Sequence, residues 1–374
     1  MSAPQPAPGT QSTPEAQRLL AHLRDLVALT GPSGSEEDVI RAAHRAAAPL
    51  ADRTEVDAFG NVVAVREAAD PDARRLILAA HLDEVGFRVR GVTPGGFLRL
   101  EKVGGTDDRI LLAQRVHVRT AGGPLPGVIG TKSAHLLTDA DRSRVVPQTE
   151  LYVDVGARSA EEAAEMGIRV GDPVGFVGDL AELGRGSGRF VAHALDDRAG
   201  AAVLLALLER YRETPPPVTL IVALTTQEEV GLRGATAVAR AHAADVALAL
   251  DMTAADDTPE FAAPHLRLGG GPTVKVMDFS TLAHPAVRRG LEAAAQARGL
   301  RVQPELLRGI GTDAGALQHA GRGIPAGAVS VANRYTHSPV EVLDLADLLG
   351  ALELLDGFVQ GLPDLDLRFV AVDE

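Results

Sequence analysis

The chain has 374 residues, 45% of them apolar and 23% charged, which suits a globular protein with a substantial core and excludes a disordered one. Its 50 acidic against 37 basic residues give a formal net charge of -13, a field that repels phosphate backbones and anionic lipid, so neither nucleic acid nor a membrane is an expected partner. With no cysteine, disulfides, thiolate nucleophiles and thiolate metal sites are excluded, and any metal must be held by His, Asp and Glu.

The first residues, "MSAPQPAPGTQSTPEAQ", have neither the basic start nor the apolar core of a secretory signal; residues 1–15 read as a disordered tail and the protein as cytoplasmic. No apolar run approaches the roughly 18 residues of a membrane span. Residues 16–48 carry a helical pattern, broken at "LTGPSGSEEDV", where Ser35 followed by Glu36, Glu37 and Asp38 reads as a helix start with acids in its first turn. "NVVAVRE" reads as a strand, and "RLILAAHLDEVGF" as a second, continuous and buried on both faces. From 88 to 186 the texture changes to short Val/Leu/Ile segments between Gly-rich turns, such as "RVHVRTAGGPLPGVIG" and "GIRVGDPVGFVG", which indicates a small inserted β-barrel or β-sandwich. Helix returns in "AGAAVLLALLERYRE", stopped by three prolines, followed by strand "VTLIVAL", helix around "GATAVARAH" and strand "VALAL". Residues 16–87 and 187–374 therefore read as one discontinuous α/β domain, a mostly parallel sheet flanked by helices, with the β insert at 88–186.

In open α/β sheets, ligands bind beyond the carboxyl ends of the strands. His81 and Asp83 follow "RLILAA", Glu228 and Glu229 follow "VTLIVALTTQ", Asp251 follows "VALAL", His337 follows "GAVSVANRYT", and Asp196 and Asp197 precede a long helix. Each alone is weak evidence, since a single His or Asp at a strand end is commonly structural or exposed. Together they offer the imidazole and carboxylate donors that zinc, cobalt and manganese take where thiolates are absent. Glu228 and Glu229 point in different directions, so one can bind a metal while the other faces substrate as a base, although the dipeptide by itself reads more readily as two solvated loop residues. Asp83 either accepts a hydrogen bond from the His81 ring, supports a neighbouring ligand, or is a surface residue. After His337, "SPVE" fits a capping box, with Ser338 as cap, Pro339 in first position and Glu341 reaching back, ahead of helical spacing at Leu345, Leu348, Leu349 and Leu352.

The ordered set "HLDEVGF", "ALDDRAG", "TTQEEVGLRGA", "ALDMT", "GTDAGAL" and "RYTHSPVEV" resembles the tetrahedral, or TET-type, dinuclear metalloaminopeptidases, a family that includes glutamyl, leucyl and lysyl aminopeptidases. The resemblance runs from about residue 16 to 360 and takes in "GVIGTKSAH" and "GIRVGDPV" of the insert, which in the family is a small β domain used for dimerisation and assembly. It implies a zinc-peptidase, phosphorylase/hydrolase-like fold and two divalent ions per subunit, zinc or cobalt first, with manganese also compatible. His81 and Asp251 would bind one ion, Glu229 and His337 the other, and Asp196 would bridge them. Glu228 would be the general base and Asp83 the partner of His81, with Asp197 and Arg198 as structural companions of Asp196 and with Thr312 and Asp313 near the substrate. The implied activity is removal of N-terminal residues from peptides, and the implied assembly a tetrahedral dodecamer built from dimers. His193 stands where many relatives have lysine and reads as a loop residue rather than a further ligand.

A carboxypeptidase or an amide deacylase could use a similar ligand set, but the "RYTHSPVE" and "LDDR" contexts favour the aminopeptidase. A non-catalytic scaffold would be expected to have lost a ligand, and none is lost. A glycosidase needs two carboxylates several Å apart across a sugar, which adjacent metal-binding acids do not provide. "GVIGTKS" lacks the spacing of a phosphate-binding loop, "GIGTDA" follows no convincing strand for a dinucleotide site, and no "GxSxG" elbow offers a serine nucleophile. The preferred N-terminal side chain is not legible at this level.

Overall fold

The structure, a computed structural model, describes residues 13–370; most of the expected disordered tail, residues 1–12, lies outside them. Pro14 and Glu15, expected in that tail, instead open helix α1 (Pro14–Val27), where Thr13 caps the Ala16 amide and proline occupies the first turn without losing a hydrogen bond. Helix α2 (Glu37–Ala47) starts two residues after Ser35, which is not its cap. The Ser35 hydroxyl is taken by the Arg88 guanidinium at 3.0 Å, so a tertiary contact overrides the local signal.

Strands β1 (Arg53–Val56), β2 (Val62–Arg66) and β3 (Arg75–His81) follow. β3 ends at His81 and does not continue through Phe87: the Glu84 amide turns to Gly31, and Gly86 begins a different sheet. There β4 (Gly86–Val92), β5 (Leu98–Val103), β6 (Arg115–Thr120), β7 (Gly123–Ile129), β8 (Tyr152–Asp154) and β9 (Pro173–Phe176) close a barrel in the order β4-β5-β8-β7-β6-β9. Alternate residues, Phe87 and Val89, Leu98 and Leu100, Val116 and Val118, fill its interior, and closure leaves no free edge. Short helices α3 (Asp139–Arg142) and α4 (Ala160–Glu165) lie in its loops. Gly104, in the turn after β5 at φ +76°, lies against the main domain: a Cβ there would stand 2.9 Å from Val85 and 3.4 Å from the Glu229 side chain.

The chain then forms β10 (Ala181–Glu182), β11 (Arg189–Ala192), α5 (Leu195–Arg210), β12 (Thr219–Thr225), α6 (Arg233–Ala241), β13 (Val246–Ala254), β14 (Thr273–Met277), α7 (Pro285–Ala297), β15 (Gln303–Leu306), α8 (Ala314–Leu317), β16 (Ala326–Asn333), β17 (Glu341–Asp344) and α9 (Leu345–Gly361). Eight strands make one sheet in the order β1-β2-β12-β3-β13-β16-β14-β15. Its centre, β12, β3, β13 and β16, is parallel, and antiparallel pairs appear only toward the edges. α1, α5, α7 and α9 share the larger core on one face; α6 and α8 pack on the other. Every residue of α5 from Leu195 to Leu208 is buried, and past the charged start at Asp196, Asp197 and Arg198 its sequence from Ala199 to Leu208 is accordingly apolar on all sides. β10, inside the stretch assigned to the insert, pairs with β11, and β11 with β17, in a three-stranded sheet outside the barrel. The capping box at Ser338 does not form. Glu341 opens β17, and the next helix starts at Leu345 under Asp344, whose side chain accepts the Ala346 amide. Among the described residues no helix is long and apolar enough to cross a membrane.

Candidate metal centre

The carboxyl ends of β3, β12, β13 and β16 converge with the start of α5. His81 closes β3 opposite Thr225. Its Nδ1 lies 3.1 Å from the Asp83 backbone oxygen, which can only accept, so Nδ1 carries the hydrogen and Nε2 faces the carboxylates. That nitrogen is 3.2 Å from Asp196 Oδ1 and 3.9 Å from Asp251 Oδ1. From the far side, His337 Nε2 stands 3.0 Å from Glu229 Oε1 and 3.6 Å from Asp196 Oδ2. Two donor sets result, His81–Asp196–Asp251 and Asp196–Glu229–His337, each with its donor atoms within 4.8 Å of one another, and Asp196 belongs to both. Asp251 was expected just past its strand. It lies inside β13, because pairing with β16 continues to Ala254.

Asp83 does not face His81 alone. Its carboxylate accepts the Ser33 hydroxyl at 2.6 Å and the backbone amides of Glu228 and Glu229 at 3.0 and 3.2 Å, so it braces the glutamate pair from behind. Two further positioning acids escaped the sequence reading. Glu341 accepts the amides of Asp196 at 2.9 Å and His337 at 2.7 Å, tying the shared carboxylate to the histidine loop, where His337 holds φ +61°. Glu36 accepts the Gln227 amide at 3.2 Å, just ahead of the pair. The one available signal was a glutamate four residues past a candidate histidine ligand, and it was spent on a cap.

Asp197 takes the His81 and Gly200 amides; a Cβ on Gly200 would lie 2.3 Å from its carboxylate, so this helix start needs glycine. Arg198 is fully buried, donating to the carbonyls of Leu26, Leu29 and Leu82 and to Glu84. His193 is placed away from both donor sets, with Nδ1 2.7 Å from Glu84 Oε2. Thr312 and Asp313 are buried behind the site, Asp313 bonded to Thr225, while residues 309–311 line the cavity.

The electrostatics describe an excess of acid. Burial, then the charges of Asp251, Asp313 and Glu229, pushes Glu228 well above the ordinary carboxylate range, against the favourable His81 charge. Burial and the Asp196 charge do the same to Asp251, and burial raises Glu229 against its hydrogen bond with His337. Burial alone would lower both histidines, but hydrogen bonds with Asp196 and Asp83 hold His81 well above its usual value, and Glu229 and Asp196 carry His337 to about 10. Asp196 is held low despite burial by its hydrogen bond to His81. Cations are the natural compensation for so many desolvated carboxylates. Two three-donor sets of imidazole nitrogen and carboxylate oxygen, sharing one carboxylate at the wall of a cavity of about 600 Å³, fit a pair of divalent ions.

Residues 60–354 match the family described as M42 glutamyl aminopeptidase. The chain belongs to the M42 aminopeptidase family. M42 peptidases are metallopeptidases, in keeping with the donor set, and membership supports hydrolase activity of the aminopeptidase kind. An aminopeptidase from the archaeon Desulfurococcus kamchatkensis is 38% identical, with TM-score 0.87 over 92% of this chain and 95% of that one. The TET1 peptidase of Pyrococcus horikoshii, which can assemble into a tetrahedron or a large octahedral shell, is 33% identical with TM-score 0.82, covering 91% of this chain and 99% of its own. The lysyl aminopeptidase of Pyrococcus furiosus is 32% identical over 320 residues, 85% of this chain and 89% of that sequence.

Proposed function

We propose that this M42 member is a dinuclear metalloaminopeptidase that removes N-terminal residues from peptides. The observation that carries the reading is the Asp196 carboxylate, which faces His81 with one oxygen and His337 with the other, beside a glutamate that belongs to neither donor set. His81, Asp251 and Asp196 would hold one divalent ion and Glu229, His337 and Asp196 the second, with zinc or cobalt the best suited and manganese compatible. Bound there, the ions supply Lewis acidity toward water and the scissile carbonyl. Glu228 lines the cavity and takes the proton of the attacking water, then passes it to the leaving amine. Burial favours its protonated form, the state it occupies between the two transfers. Asp83 holds its backbone in place meanwhile.

A carboxypeptidase would need a cation for the substrate carboxylate. Among the described residues no Arg or Lys lines the cavity, whereas its carboxylate-rich end suits a free ammonium group, which favours the aminopeptidase. Homo-oligomerisation through the 88–186 domain, toward a tetrahedral dodecamer of dimers, is part of the proposal. It is supported by the assembly of the P. horikoshii relative and by exposed Val128, Leu136, Val145 and Val170 on the insert. The family description names glutamate and one relative lysine, so membership leaves the preferred side chain open.

The test is hydrolysis of aminoacyl p-nitroanilides and amino-blocked controls, with and without zinc, cobalt or manganese, alongside Glu228→Gln. Free substrates are cleaved and blocked ones are not, while the variant keeps wild-type metal content and loses about 10²–10⁴ in kcat. Equal cleavage of blocked substrates, or a fully active variant, would falsify the assignment.

A further inference from the structure

The same cavity bears on side-chain preference, in an argument that rests on the aminopeptidase reading. Away from the metal donors the large side chains of its lining are Leu232, Met252, Phe279 and Ile310, set among glycine backbone at 231, 309 and 311 and a few small or hydroxyl-bearing residues. Phe279 is 84% exposed at this wall, an aromatic surface that an occupant of the cavity would cover. The Phe279 amide donates to the Ile310 carbonyl at 2.8 Å, so the two apolar groups stand on loops that are fixed to one another. Asp278 secures that junction from behind. It accepts the amides of Ser280 and Thr281, each at 2.7 Å, and the Thr312 hydroxyl at 3.3 Å.

The charges near this wall are already satisfied. Lys275 is fully buried, its Nζ 2.6 Å from Glu305 and 3.5 Å from Asp278. Glu305 also accepts the hydroxyls of Thr253 and Thr273. The buried ammonium is thus matched by two acids and is not presented to the cavity. The one negative charge left over lies on Asp278 and Glu305, which are buried behind the wall, do not line the cavity and are taken up by amide and hydroxyl donors. The lining hydroxyls of Thr253 and Ser280 donate inward, to Glu305 and Asp278. A carboxylate or ammonium on the substrate side chain would be desolvated against these apolar groups with no counter-charge in contact, which is unfavourable, whereas an apolar chain gains by burial.

We infer that this cavity selects peptides whose N-terminal side chain is uncharged and apolar, of leucine or methionine size, with Phe279 and Ile310 as specificity-determining residues. The experiment compares kcat/KM of the metal-loaded enzyme for leucyl, methionyl, alanyl, glutamyl and lysyl p-nitroanilides. Leucyl and methionyl substrates exceed glutamyl and lysyl ones by about 100-fold or more, and exceed alanyl by about tenfold. Phe279→Ala, with unchanged metal content and circular dichroism, costs leucyl hydrolysis about tenfold and alanyl hydrolysis much less. Ile310→Lys shifts the glutamyl-to-leucyl ratio upward by about tenfold as a counter-charge enters the wall. Preferential cleavage of glutamyl or lysyl substrates by the wild type overturns this inference and leaves the aminopeptidase reading standing. An equal loss on every substrate in Phe279→Ala removes that residue's role. If no free aminoacyl substrate is cleaved, the aminopeptidase reading fails and the inference fails with it.

Discussion

Asp83 holds the amides of two consecutive glutamates while its own backbone oxygen fixes the tautomer of His81, so one residue sets both the base and a metal donor. Replacing it with alanine frees the Gln227–Glu228–Glu229 turn, in which Gln227 already holds φ +55°. The expected result for Asp83→Ala is a fall in kcat of roughly 10–100-fold with KM nearly unchanged. Metal analysis beside the kinetics is the check: a variant that loses metal and recovers the wild-type kcat when metal is restored would place the role of Asp83 on His81 instead. Glu341 makes the parallel case on the other side, gripping the amides of Asp196 and His337. In Glu341→Gln the NH₂ group faces one of those amides, and the variant should bind metal about 10–100-fold more weakly, as read by competition with a chelator. At this scale the ligand types were legible because nothing but His, Asp and Glu could hold a metal in a chain without cysteine. Glu341 was not, because Ser-x-x-Glu has one sequence signature and two structural uses, and only the path of the chain after Ser338 decides between them.

The elements were legible where local pattern and burial agree. From Ala199 to Leu208 α5 is apolar on every side and is buried on every side, and the barrel strands alternate as their closed sheet requires. The errors fall where long-range pairing sets an end: β3 stops at His81 because the chain turns toward Gly31, and β13 runs past Asp251 because β16 pairs with it. One such junction has a measurable energy. Glu84, in the turn after β3, accepts the Gly31 amide and pairs with Arg198 of α5 and with His193. Burial would raise its pKa, but the charges of Arg198 and His193 lower it from 4.5 to about 2. The folded-state value is depressed, so this stabilisation is fully present above about pH 4.5 and is lost as pH falls toward 2. Its size is roughly 3 kcal/mol at neutral pH. Urea unfolding of Glu84→Gln should show about that loss at pH 7 and a much smaller difference from wild type near pH 3. A constant difference across pH would mean that the substitution acts through packing and not through charge.

The centre joins the ends of β3 and β13, the loops after β12 and β16, and the start of α5 into one acidic knot, so its occupancy should govern the stability of the whole domain. In the metal-free protein two groups of residues work in the same direction. Asp251 and Glu228 are pushed well above their ordinary values by burial and mutual repulsion, so the fold favours their protonated forms and loses stability as rising pH ionises them. His337 is carried to about 10 by Glu229 and Asp196, despite burial, so its contribution is complete below about 6.5 and declines as pH climbs to 10. Divalent ions reverse the trend, because their ligands bind only when deprotonated and a species bound by the native state alone stabilises it by mass action. Chelation should therefore lower Tm little at pH 5 and by several degrees more at pH 8, with the gap between loaded and stripped protein widening steadily in between. Differential scanning calorimetry of loaded and chelator-treated protein across that range measures it. The Asp251→Asn variant, which removes one ligand and one buried charge together, should be more stable than stripped wild type at pH 8 and gain less from added metal. A gap independent of pH would show that the ions do not compete with protons for these carboxylates, and that the knot is held by its hydrogen bonds alone.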